Sequence, residues 1–371
     1  MRISLDQSSL AAGIQAVSRA VSARSAMPVL SGILISATDN GVVFKAYDTE
    51  IGIEAPVEAK VEKNGAIVLP AKIMGEIVRS IPRGDIVIDA DQPNFTAVLT
   101  WGRSEFTIHG IDHTQFPATP DASSGESMAV DVETFKNLIR QTTFATAQNE
   151  LRRALTGVLL EASGREVSMV AIDGVRLALR RAYLNNDGMA ETRAILPARA
   201  LNEVARFMQA GSGDLSVRVG QGQASFTVGE VMVVSRLLEG QFPPYSQIIP
   251  KSYSTTVTVK RQDLQDACER ASVVSSDKDN TIHMRLTGDR IEISAASPEV
   301  GRVREEVDAH VEGEEVEIAF NARLVVEGLR VIDSEEVLLR STGRFSPACI
   351  RAVEHENFIY IVMPLRTTDV S

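Results

Sequence analysis

One short helical motif occurs three times in this 371-residue chain. It reads basic-x3-Glu-x2-Arg: Lys72, Glu76 and Arg79, then Arg199, Glu203 and Arg206, then Arg323, Glu327 and Arg330. Each copy follows a short apolar run, at residues 67–69, 195–196 and 318–320. Other landmarks keep nearly the same interval. Lys45-Ala46-Tyr47-Asp48 lines up with Val170-Ala171-Ile172-Asp173 and, more loosely, with Ser294-Ala295-Ala296-Ser297. Gln115-Phe116-Pro117 lines up with Gln241-Phe242-Pro243, and amphipathic stretches after Leu10, Phe135 and Leu264 open the three units. Self-similarity in this order predicts three tandem domains, over 1–125, 126–250 and 251–371. The first boundary falls in a polar Pro-, Gly- and Ser-containing stretch, 117–127, that suits a linker.

Within a unit, short alternating apolar runs surround two helical segments. Runs of strands with separated helices define an α+β class, with helices on one face of antiparallel sheets. In the first motif helix, Ile73, Ile77 and Ile81 recur at helical spacing and predict the buried stripe. Lys72, Glu76 and Arg79 share the opposite face, because positions i, i+4 and i+7 stand together on a helix. Taken singly, such a face is a solvated surface with local ion pairs. Its threefold recurrence predicts that it meets something common to all three units.

The net charge of −11 argues against a protein that grips nucleic acid by a basic surface alone. Its distribution is uneven: the three predicted domains carry −4, 0 and −7. Arg152 and Arg153 form a local basic concentration in the middle unit. The two cysteines, Cys268 and Cys349, cannot build a disulfide framework. No apolar run is long enough for a membrane span, and the N-terminus has no signal-peptide pattern, which together predict a cytoplasmic protein. Motifs for phosphate cradling, zinc hydrolysis or a nucleophile elbow are absent. His109 and His113 fall on a strand and a loop and need not share a face. Asp48 and Asp173 are repeat equivalents that read as turn caps. The residues therefore give no catalytic assignment, no metal site and no cofactor.

Three tandem α+β repeats without catalytic groups, together with the C-terminal run Tyr360-Ile361-Val362-Met363-Pro364-Leu365-Arg366, resemble the bacterial sliding clamp, the DNA polymerase III beta subunit. Val170-Ala171-Ile172-Asp173-Gly174-Val175-Arg176-Leu177-Ala178 is similar to a central signature of that family. Gly240-Gln241-Phe242-Pro243-Pro244-Tyr245 is similar to a second, and residues 24–33 fit its first domain. The resemblance implies a non-enzymatic processivity factor. Two chains would join head to tail in a ring of DNA-clamp domains, encircle duplex DNA without sequence preference, and slide while tethering the polymerase. Topological retention needs only a weakly basic lining, which reconciles DNA binding with the acidic composition. Arg24, Lys72, Arg79, Arg152, Arg153, Arg199, Arg206 and Arg323 are the expected DNA-facing residues.

The resemblance further implies a hydrophobic pocket for short peptides of the DNA polymerase III alpha subunit, the clamp loader and other replication or repair proteins. Its residues here are Leu155, Ile172, Gly174, Val175, Arg176, Leu177, Pro243, Ile248, Phe345, Pro347, Ile361, Val362, Met363, Pro364, Leu365 and Arg366. Val175 stands where the family usually has His, and residues 367–371 extend past the usual end. Ring closure is expected between the strand over 103–109, carrying Arg103, Glu105, Phe106 and Ile108, and a surface made by Val273, Val274 and the strand over 300–307. Phe106 and Ile108 would meet the partner or be buried in their own domain. Glu105 is expected to face Arg302 or Arg304 across the homodimer contact. Two readings compete with the clamp: an enzyme on a repeated α+β scaffold, and an interaction scaffold that never meets DNA.

Overall fold

The computed structural model describes all residues except 23–24, 92, 120–124, 185–188, 211–214, 276–279 and 367–371. Arg24 and the segment 367–371 therefore lie outside the described residues. Among the described residues, six α-helices punctuate a run of strands: α1 (Gln7–Val17), α2 (Ala71–Ser80), α3 (Val132–Arg140), α4 (Ala198–Ala210), α5 (Arg261–Val274) and α6 (Ala322–Arg330). They come in pairs, two for each predicted repeat, and every named strand pairing is antiparallel. This is the α+β arrangement expected from the sequence.

Two compact units form: residues 1–132 with 199–237, and residues 133–198 with 238–371. The middle third of the chain contributes to both, and strand pairing shows why. Strand Val231–Arg236 pairs with Ile51–Val57 in register Val233↔Ile53, extending a sheet of the first unit to eight strands. Strand Arg176–Tyr183 pairs with Phe358–Val362 in register Leu177↔Ile361, completing a twelve-stranded sheet in the second. The first unit also holds a five-stranded sheet.

Side-chain alternation sets each core. In strand Gly41–Tyr47 the side chains of Val42, Phe44 and Ala46 are buried, and α1 packs over this sheet. Gly13 has no room for a side chain, since a Cβ there would stand 2.5 Å from Val57. Strand Glu166–Ile172 is buried at six consecutive positions, as expected for a strand covered on both faces.

The motif helix α2 differs from the expected stripe. Ile73 is 44% exposed, and the buried positions are Ala71, Met74, Ile77 and Val78, with Ile81 buried just past the end. At about 100° per residue, Met74 and Val78 lie at the centre of the inward face and Ile73 falls on its flank. Lys72, Glu76 and Arg79 remain opposite that centre and are exposed.

Candidate functional site

The three motif helices present their basic residues outward but treat the shared glutamate differently. Glu76 lies exposed between Lys72 and Arg79. Glu203 is buried in α4 and accepts from Arg206 at 3.4 Å, while Arg206 itself is exposed. Arg199 is more constrained than the sequence suggests. One of its terminal nitrogens meets Asp48, and the other donates to the Arg19 carbonyl at 3.0 Å. In α6, Arg323 is mostly exposed and its Nε donates to Glu327 at 2.7 Å, while Arg330 pairs with Glu269 at 2.9 Å. A pair exposed on both sides, such as Arg330–Glu269, is worth no more than about 1 kcal/mol and leaves its arginine free to exchange a carboxylate for a phosphate. Arg152 and Arg153 are also exposed, but on a 3-10 segment, Glu150–Thr156, rather than on a motif helix. Neighbouring Ala154 and Leu155 pack into an apolar cluster of the second unit.

Four of the expected pocket residues belong to that cluster. Leu155, Ile172, Leu177 and Ile361 are buried in it with Leu159, Val170, Leu179, Ile195, Phe242 and Cys349. Val362 is buried as well. These side chains are closed over by the strands on either side of them: Phe358–Val362 lies between Arg176–Tyr183 and Ala348–Ala352. The accessible rim comes from the turns and the chain end. Val175 is 49% exposed, Phe345 57% and Met363 37%. Gly174 and Arg366 are also exposed, and Pro243, Ile248, Pro347, Pro364 and Leu365 are half-buried. Ile248 packs against the cluster with Tyr245, Ile249 and Tyr253.

Local chemistry fixes the rim. Asp173 Oδ1 accepts the backbone N–H of both Val175 and Arg176 at 3.0 Å, and Gly174 adopts φ +102°, a conformation that favours glycine. Asp48 does the same at the equivalent turn, accepting from Glu50 at 3.0 Å and Ile51 at 2.8 Å. Both aspartates are the turn caps that the repeat predicts. Past Val362 the chain leaves the sheet: Met363 N donates to the Val175 carbonyl at 2.9 Å and Leu365 N to the Ala319 carbonyl at 2.8 Å.

Arg176, expected among the pocket residues, is an internal tether. Its side chain is nine-tenths buried. Nε donates to Asp173 at 2.9 Å, Nη2 to the Phe144 carbonyl at 2.8 Å and Nη1 to Glu327. The guanidinium also lies 5.3 Å from the Phe144 ring centre. Burial alone would lower its pKa, but the hydrogen bond to Glu327, with Tyr360 and Asp173 close by, outweighs that and the pKa is raised. Phe144 and Glu327 were not identified by sequence reasoning as pocket supports. Glu327 could only be noticed there as a motif residue, because its partner lies 151 positions away.

The two expected contact edges are both strand edges with unpaired stretches. Strand Ser104–His109 ends the five-stranded sheet and, among the described residues, pairs only with Thr96–Trp101. Ile108 is buried in its own unit, whereas Phe106 is 42% exposed and stacks on Trp101 with ring centres 5.0 Å apart. Arg103 and Glu105 are exposed. Strand Gly301–Gly313 pairs with Arg290–Ser297 along one side, but along the other only residues 309–313 are paired among the described residues, with Thr255–Lys260. Val273 beside it is exposed and Val274 half-buried. Arg304 is engaged by Glu292 at 3.2 Å and Glu306 at 3.1 Å, while Arg302 meets no carboxylate among the described residues.

Three sequence repeats of antiparallel strands, each with two helices and an outward basic helical face, define the DNA-clamp class of protein. Family models of the DNA polymerase III beta subunit match nearly the whole chain: the N-terminal domain over residues 1–120, the central domain over 129–244 and the C-terminal domain over 246–366. The chain belongs to the DNA polymerase III beta subunit family. It is similar to the beta sliding clamp of Staphylococcus epidermidis, 31% identical over 94% of this chain and 95% of the relative, and to that of Staphylococcus aureus, at 32% identity and the same coverage. Its fold matches the crystal structure of the Bacillus subtilis DNA polymerase sliding clamp, with a TM-score of 0.95 and 31% identity over 99% of this chain and 100% of that one. It serves as a polymerase processivity factor, a non-catalytic accessory subunit, which sets aside the reading as an enzyme.

Proposed function

We propose that two copies of this chain close head to tail into a ring around duplex DNA, and that the ring tethers the polymerase through the pocket in the second unit. The domain divisions 1–125, 126–250 and 251–371 are part of this reading, giving six domains in the closed ring. Lys72, Arg79, Arg206 and Arg323 are the leading DNA-facing residues, because each is exposed on a motif helix. Arg199, held by Asp48, contributes less. Such a lining makes non-specific phosphate contacts and carries no base readout, as sliding requires.

The observation that carries the pocket is the exposure of Val175, Phe345 and Met363, with the Met363 N–H bonded to the Val175 carbonyl, in the unit that holds the buried apolar cluster. An apolar floor with a flexible methionine at its rim suits one site that accepts several peptides, from the alpha subunit, the clamp loader and repair proteins. Val175→Asp and Met363→Asp place charges on exposed side chains and leave the core untouched. Both are expected to weaken binding of a labelled alpha-subunit peptide at least tenfold, roughly the loss of one apolar anchor, with unchanged thermal unfolding. Unchanged peptide affinity in both variants would contradict the assignment.

A further inference from the structure

Glu327 serves two arginines at once. Its Oε1 accepts from Arg323 Nε at 2.7 Å, and its Oε2 accepts from Arg176 Nη1. The equivalent glutamates do otherwise: Glu203 pairs with Arg206, and Glu76 has no ion pair among the described residues. The two arginines bound by Glu327 have opposite surroundings. Arg323 is mostly exposed on the basic face of α6, and Arg176 is nine-tenths buried beneath the pocket turn.

From Arg176 a continuous set of polar contacts reaches both walls of the pocket. Arg176 holds Asp173 and the Phe144 carbonyl. Asp173 fixes the N–H groups of Val175 and Arg176, and the Val175 carbonyl accepts Met363 N–H. Val175 and Met363 are the exposed rim residues on which peptide binding rests.

We propose that Glu327 is a positioning residue for the pocket, and that its hold on Arg176 strengthens when a DNA phosphate engages Arg323. This rests on the reading above, in which Arg323 faces DNA and the turn at 173–176 borders the peptide site. A single carboxylate charge is divided between two guanidiniums. A phosphate that neutralises Arg323 removes one competitor and one repelling cation, and the remaining attraction acts in a half-buried site of reduced dielectric. Arg176 and the turn are then held more firmly and the rim is better ordered for a peptide. By linkage, peptide binding favours DNA contact at Arg323 to the same extent. Since the competing pair is a single i,i+4 contact whose arginine is mostly exposed, the expected coupling is modest, about twofold in affinity.

The test is a fluorescence-anisotropy titration of the full chain with a labelled alpha-subunit peptide. It is run with and without a short duplex at low ionic strength, where phosphate contacts are strongest, and duplex binding is followed by its own label. Wild type is expected to bind the peptide about twofold more tightly with duplex bound. Arg323→Gln should show the higher affinity without duplex and no further gain with it. Glu327→Gln should bind the peptide more weakly and ignore the duplex, a pattern that a merely structural role would not produce. Arg323 is exposed, so its variant keeps the test open if Glu327→Gln folds poorly. Wild-type affinity indifferent to bound duplex, or a duplex effect surviving in Glu327→Gln, would overturn the coupling while leaving the pocket in place. A peptide that fails to bind wild type overturns the pocket reading and the coupling together.

Discussion

The ring of Tyr360 occupies the space that a side chain on residue 328 would need: a Cβ on Gly328 would stand 2.4 Å from the Tyr360 ring. The Tyr360 hydroxyl donates to the Leu324 carbonyl at 2.8 Å, one turn earlier on the same helix. Helix α6 is thereby seated on the strand that leads into the pocket rim. Gly328→Ala is expected to destabilise the second unit by about 1–3 kcal/mol, the usual cost of overpacking, even though alanine is the better helix former. Urea unfolding monitored by far-UV circular dichroism would measure the loss. A neutral or stabilising outcome would contradict the close packing.

Dimer closure is expected to depend on Phe106 more than on charge. Phe106→Ala should move the dimer toward monomer in sedimentation velocity. Glu105→Arg should weaken it less, because a rim ion pair contributes at most about 1 kcal/mol. Rescue is expected from Arg302→Glu and not from Arg304→Glu, since Arg304 is already taken by Glu292 and Glu306. Equal rescue by both would show that the exchanged pair is wrongly placed.

Asp6 caps α1, accepting the backbone N–H of Ser8 at 2.7 Å and Ser9 at 3.2 Å. The hydroxyl of Ser8 and then that of Ser9, followed by the Ser9 backbone, pull its pKa down to about 2. A folded pKa below the unfolded value stabilises above the unfolded pKa and is lost as pH falls through the folded one. The stability difference between wild type and Asp6→Ala should therefore be constant above pH ~4 and shrink between pH ~4 and ~2. Chemical unfolding at several pH values would show it, and a difference that grows on acidification would contradict the cap.

Neutralising Lys72, Arg79, Arg206 and Arg323 together should weaken DNA retention without introducing sequence preference. For every phosphate no longer neutralised by a side chain, the slope of log K against log salt should flatten by about 0.9. A variant with an unchanged slope would remove these helices from the lining.

Much of this architecture was legible because repeats leave a record in sequence. The basic-x3-Glu-x2-Arg motif marked α2, α4 and α6, and Asp48 and Asp173 were readable as turn caps because they are repeat equivalents. The exposure of Ile73 was not, since an isoleucine on the flank of a short helix satisfies the same spacing as one at its centre. Nor could the sequence show that Ile361 and Val362 are core while Met363 is rim. That distinction depends on Arg176–Tyr183 pairing with Phe358–Val362, a contact between segments about 180 residues apart. Arg176 has the composition of a ligand contact, and only its distances to Glu327, Asp173 and Phe144 identify it as a tether.

The central claim is that the chain holds DNA by encircling it. The most direct measurement loads the labelled protein onto nicked circular duplex, isolates the complex by gel filtration at moderate salt, and then linearises the DNA with a restriction enzyme. The account predicts that the protein stays on the circle and runs off the ends once the duplex is cut, with the rim variants Val175→Asp and Met363→Asp behaving likewise if placed on the circle. Dissociation at the same rate from circular and linear DNA would contradict it.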